Sequence, residues 1–188
     1  IFYRDARAHL AIFPAGFRAL KRLLPDPRYT PAQFLPGIGA VALASFEYYD
    51  TDVGPYNEFA FNVLLNNPQI FPLPGYNLLR QLLQFNFYPY IHRLPVTTEE
   101  ALRWGIDFSG FPKFLASIEF SDSERWMTCE LKEAGDLICR VKGRKIAAPW
   151  SRAMKFLIRL YQHRQPQVDC RPAGQWIRLQ GSPRKAAG

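Results

Sequence analysis

The stretch from Ala40 to Leu65 constrains the fold more than any other part of the chain. AVALASFEYYD (40–50) is a strongly apolar strand, DTDVGP (50–55) is a turn, and YNEFAFNVLL (56–65) is the next strand. Period-two alternation in that second strand puts Phe59, Phe61, Val63 and Leu65 on one face. Tyr56, Glu58, Ala60, Asn62 and Leu64 share the other. Aromatics make up 15% of the chain and prolines number 16, which fits many short strands and turns around an aromatic interior. The 188 residues suit one domain spanning 1–188. A chain of that size buries roughly 70% of its unfolded surface.

Around this unit the pattern is mixed. RAHLAIF (7–13) reads as a strand closed by Pro14. Residues 16–24 read as a helix with Phe17, Leu20, Leu23 and Leu24 on one face, stopped by Pro25, and 25–37 as proline-rich loop. GYNLLRQLLQF (75–85) is a short helix and NFYPYIHRLPV (86–96) a strand. Thr97 with Glu100 predicts a capping box, for a helix that Gly105 ends just after Trp104. KFLASIEF (113–120) reads as one strand, and RWMTCEL (125–131) with LICRVKG (137–143) as a hairpin. Residues 151–163 fit a helix slightly better than a strand; 175–181 read as a last strand and 182–188 as a disordered tail.

Lys plus Arg total 24 against 16 Asp plus Glu, a net charge of +8. Apart from Lys142–Lys145 and Arg184–Lys185, the basic residues are scattered among apolar ones, which argues against nucleic acid and suits attraction of small carboxylates. Cys129, Cys139 and Cys170 form no CxxC pair and no metal-ligand spacing, and an odd count without a framework favours a reducing, cytoplasmic setting. No apolar run approaches the length of a membrane span.

Two residues carry the candidate chemistry. Lys113 stands between Pro112 and Phe114 in GFPKFLASIEF, with Phe111, Phe114 and Leu115 available as a dry wall. Burial lowers the pKa of an amine and frees its lone pair, which is how a lysine becomes a Schiff-base catalyst for carbonyl substrates. The alternative is a surface lysine in a turn after Pro112. Glu58 is either a solvent-facing residue of a half-buried strand or a carboxylate inside a barrel, with Tyr56 and Asn62 lining a pocket. His9, His92 and His163 lie far apart without HxH or HxxxH spacing, so neither a metal site nor a Ser–His–Asp triad is indicated.

Four stretches, in order, resemble the acetoacetate decarboxylase family: ALKRLLPDP (19–27), DTDVGPYNE (50–58), TTEEALRWGIDFSGFPKFLASIEF (97–120) and ELKEAGDLICRVKG (130–143). The third is similar to that family's active-site segment, where the lysine follows an aromatic–proline pair. The resemblance implies an α+β, mostly β fold: an antiparallel sheet curled into a cone-like β-barrel with a few short helices, its last strands missing after about residue 180. It implies that Lys113 forms a Schiff base with a β-keto acid, with Glu58 as the pocket glutamate. With a one-residue gap, it implies that Arg7 is a substrate-binding arginine, whose planar fork suits a carboxylate. Tyr56, Phe111 and Phe114 would line the substrate. Three departures stand out. Phe114 replaces a second lysine beside the nucleophile, Glu47 is the only acid within the strand before Glu58 apart from Asp50 at its end and faces the other side, and the last strands are missing.

The function implied is a Schiff-base lyase that decarboxylates a small keto acid, with no metal or organic cofactor, working as a homo-oligomer without nucleic-acid or membrane partners. Two alternatives stay open. One is aldolase- or dehydratase-type Schiff-base chemistry on an α-keto acid. The other is a non-catalytic barrel holding a small apolar or keto-acid ligand.

Overall fold

The computed structural model describes residues 3–84 and 86–145. The segments expected at 151–163, 175–181 and 182–188, with Cys170 and His163, lie outside the described residues. At the centre stands the strand–turn–strand unit. β3 (Ile38–Thr51) pairs antiparallel with β4 (Tyr56–Leu64), matching Ala44 with Ala60, Phe46 with Glu58 and Tyr48 with Tyr56. β1 (Tyr3–Gly16) pairs along the other side of β3, placing Ala6 opposite Tyr48 and Arg7 opposite Glu47. β1 runs three residues past the expected stop at Phe13, through Pro14. As the sheet's edge strand it tolerates a residue with no N–H to donate.

α1 (Phe17–Leu23) and β2 (Gln33–Leu35) link β1 to β3, and α2 (Tyr76–Gln84) links β4 to β5 (Pro89–Val96). α3 (Glu99–Ser109) then crosses over to β6 (Lys113–Leu115), which lies parallel to β5. A parallel pair requires such a crossover. The six-stranded sheet runs β1-β3-β4-β5-β6 with β2 on β3. β7 (Ser117–Asp122), β8 (Trp126–Glu133) and β9 (Asp136–Arg144) form a separate three-stranded sheet. The class is thus mostly β with three short helices, and the described strands hydrogen-bond as two sheets.

The two faces of β3 and β4 bury different partners. Leu43 and Phe59 pack on Ile118, Cys129, Leu131 and Val141 of the second sheet. Burial of a side chain such as Phe59 contributes about 1.5–3 kcal/mol. On the opposite face, Ala42 and Leu64 pack under Leu78 of α2, and Tyr56 packs with Val96 against Ala101 of α3. The face assignment for β4 therefore holds.

Three local expectations are corrected. The cap of α3 is Thr98, which accepts from the Ala101 amide at 3.3 Å. Thr97 is engaged elsewhere, its hydroxyl accepting from the Asn57 amide at 2.9 Å. α3 does not stop at Gly105 but runs one more turn to Gly110, whose φ of 62° gives the left-handed cap. The 113–120 strand is two strands: Ala116, whose amide donates to the Val96 carbonyl, ends β6, and Ser117 opens β7 in the other sheet.

Candidate active site

Lys113 is placed by the crossover. Its strand neighbour is Leu94, whose amide donates to the Pro112 carbonyl at 3.1 Å, while the Lys113 amide donates to Phe111 at 2.8 Å. The register of β4 on β5 sets Glu58 beside Val96, next to this pair. The result is a buried contact between lysine and glutamate, 7% and 8% exposed, with Nζ 2.8 Å from Oε2. Nζ also donates to the Ala101 carbonyl of α3 at 3.3 Å and stands 5.6 Å from the centre of the Tyr56 ring. The amine is therefore held between a strand carboxylate, a helix carbonyl and an aromatic face, away from bulk water.

Burial pushes the Glu58 carboxyl above its ordinary value, against the opposing pull of Lys113 and of a hydrogen bond from Tyr48. A carboxyl raised by burial in this way is a ready acceptor for a proton. Tyr48 belongs to an aromatic wall: its ring lies 4.6 Å from Tyr3, 4.7 Å from Tyr56 and 5.6 Å from Phe46, centre to centre. The Tyr3 and Tyr56 hydroxyls are 3.3 Å apart. Phe111 packs beside Ala44, Ala60 and Leu94 on the same side.

The structure thus brings together Lys113, Glu58, Tyr56 and Phe111. It does not bring Arg7 to them. Arg7 faces the opposite side of β1, bonded to Glu47 and Asp122 and 5.5 Å from the centre of the Phe120 ring. Its neighbour Ala6, the partner of Tyr48, takes the site face instead. Because strand side chains alternate, a one-residue offset moves a residue to the other face. Glu47 lies on the far face with Arg7, as its odd spacing from Glu58 requires. Phe114 follows Lys113 directly in β6, so strand alternation turns it away from the amine.

Sequence reading missed Tyr3 of the aromatic wall and three further contributors. Tyr48 is reached through the β3–β4 register, Ala101 through the α3 carbonyl, and Gly105 by its lack of a side chain. A Cβ on Gly105 would collide with Cδ and Cε of Lys113 and stand 3.0 Å from Nζ. The one available signal was a glycine inside a helical pattern, which calls for a packing or functional reason. Neither His9 nor Cys129 belongs to the site. His9 shares the Arg7 face, and Cys129 is a core thiol pushed up to about 12 by burial. Among the described residues no cluster of three or more His, Cys, Asp or Glu side chains is arranged to hold a metal, and no helix is long and apolar enough to cross a membrane.

The acetoacetate decarboxylase (ADC) family model matches residues 1–169. The chain belongs to the acetoacetate decarboxylase family. Solved structures agree at the level of fold. An acetoacetate decarboxylase structure superposes with a TM-score of 0.58 at 14% identity, covering 74% of this chain and 49% of its own. The acetoacetate decarboxylase of Legionella pneumophila gives 0.57 at 16% identity, covering 74% and 48%. The enduracididine biosynthesis enzyme MppR, complexed with pyruvate, gives 0.52 at 13% identity, covering 74% and 55%. The chain spans about half the length of these structures. No curated protein sequence matches it.

Proposed function

We propose that this acetoacetate decarboxylase family member is a Schiff-base lyase whose nucleophile is Lys113. The observation that carries the reading is an amine almost withdrawn from solvent, 2.8 Å from a buried carboxylate. Glu58 takes the lysine proton, and the neutral amine attacks the ketone carbon of a keto acid. The resulting carbinolamine loses its oxygen as water, with the protons returned through Glu58, and leaves an iminium. In a β-keto acid the bond to the carboxylate then breaks. Carbon dioxide leaves, its bonding pair moves into the iminium to form an enamine, and protonation and hydrolysis release the ketone and Lys113. Metal or organic cofactors have no part in these steps.

A second reading has its own support. With Ala6 on the site face, Arg7 is not placed to hold the carboxylate of a β-keto acid. The same lysine can serve condensation or dehydration of an α-keto acid, and one fold neighbour is an enzyme complexed with pyruvate.

The deciding test incubates the protein with acetoacetate or with pyruvate, adds borohydride and locates the adduct by peptide mass spectrometry. An adduct on Lys113, absent in Lys113→Ala, together with carbon dioxide release from acetoacetate, supports the decarboxylase. An adduct formed from pyruvate alone moves the activity to the condensation class. Ligand binding with no adduct under either condition makes the protein a binding module. The proposal extends to a homo-oligomer, which sedimentation velocity tests.

A further inference from the structure

Glycine in a helix interior is destabilising by about 1 kcal/mol relative to alanine, so its presence mid-helix asks for a reason. Gly105 sits in the seventh position of an eleven-residue helix and is buried. Its backbone is not in the left-handed region that would demand glycine, unlike that of Gly110. The explanation lies in what a side chain there would meet. The three nearest atoms to a Cβ on Gly105 all belong to Lys113: Cδ, Cε and Nζ. One turn earlier, Ala101 offers the carbonyl to which Nζ donates at 3.3 Å. The lysine stem therefore lies across α3 at the glycine, and its tip reaches one turn toward the helix start, where Glu58 meets it.

We infer that Gly105 is a positioning residue: its missing side chain is the berth that lets the Lys113 amine reach both the Ala101 carbonyl and the Glu58 carboxylate. The inference rests on the reading of Lys113 as nucleophile for its catalytic consequence, while the steric claim stands on the packing of the lysine stem against α3. A methyl group at 105 fills the berth and forces the stem outward. The amine then loses its contacts with the helix carbonyl and Glu58. Displacement of a reacting group by about 1 Å lowers a rate by about 10²-fold.

The test compares the full chain with Gly105→Ala, Lys113→Ala and the double variant. Acylation of Lys113 by acetic anhydride, followed across pH and normalised to the exposed Lys142, reads the amine without any substrate. Gly105→Ala is expected to label Lys113 several-fold faster and to change the pH dependence of labelling. Borohydride trapping with a keto acid is expected to fall by about 10²-fold. Melting temperature supplies the third readout. Gly105→Ala lowers it while Lys113 is present and raises it in the Lys113→Ala background, where only the gain in helix propensity remains. Should Gly105→Ala fail to fold, the double variant folds if the clash is with the lysine. A double variant that also fails overturns the inference, as do unchanged labelling or a melting shift of the same sign in both backgrounds. A wild-type protein that never traps a keto acid removes the lyase reading, while labelling and melting still decide the berth.

Discussion

Replacing Lys113 by methionine keeps an unbranched stem over Gly105, with sulfur in place of Cδ, and removes the ammonium. Glu58 is then a carboxyl 8% exposed that has lost its partner at 2.8 Å. Breaking a buried pair by removing one member costs about 3–5 kcal/mol. For a domain of this size, that is a fall in melting temperature of roughly 6–20 °C. The loss depends on pH in a fixed direction. Burial already raises the Glu58 carboxyl, and without the opposing pull of Lys113 its folded value moves further above the unfolded one. A carboxyl raised by folding binds more protons folded than unfolded, so stability declines as pH climbs from the unfolded value through the folded one. The slope over that window is at most about 1.4 kcal/mol per pH unit. Urea unfolding of wild type and Lys113→Met at about pH 5 and about pH 8 therefore gives a small difference in acid and a large one in base. Added salt changes the difference little, because a buried pair is poorly screened. Lys113→Met/Glu58→Leu regains most of the lost stability. A deficit independent of pH would refute the reasoning, since Glu58 would then not be a buried carboxyl whose proton affinity the amine opposes.

Glu58→Gln keeps the shape of the side chain but cannot take a proton from the amine, so borohydride trapping of a keto acid is expected to slow by about 10²–10⁴-fold; unaltered trapping would remove Glu58 from the proton path. Tyr48→Phe deletes a hydrogen bond that lowers the Glu58 carboxyl. The ascending limb of the pH–rate profile should therefore move to higher pH, and an unmoved or acid-shifted limb contradicts the assignment. Arg7→Ala removes the link from β1 to Glu47 and Asp122 on the far face, so melting falls by a few degrees at most while trapping at Lys113 proceeds at the wild-type rate. A large loss of trapping would mean that Arg7 reaches the substrate after all.

The parts of this site that were legible in the sequence share one property: each follows from the local sequence. Alternation along β4 put Glu58 with Tyr56 and apart from Phe59 and Phe61, and the sheet keeps that division. The apolar setting of Lys113 showed in its neighbours Phe111 and Pro112. What local reasoning could not supply is register between distant elements. Arg7 and Ala6 differ by one residue, and only the pairing of β1 with β3 decides which of them faces Tyr48. Gly105 read as a helix stop because glycine commonly ends helices, whereas its role depends on a lysine that returns to α3 from the next strand. The break at Ala116 was hidden for the same reason: KFLASIEF looks continuous until the Val96 carbonyl claims the Ala116 amide.

The pleat of β1 has a consequence for how such a site diversifies. Ala6 and Ala8 are exposed on the face that carries Tyr48 and Phe46, while Arg7 braces the reverse side against the second sheet. Adjacent codons thus serve separate tasks. Exchange at positions 6 and 8 can alter the size or charge offered to an incoming molecule while the brace at position 7 stays untouched, so new substrate preferences can arise along this strand without loosening the joint between the two sheets.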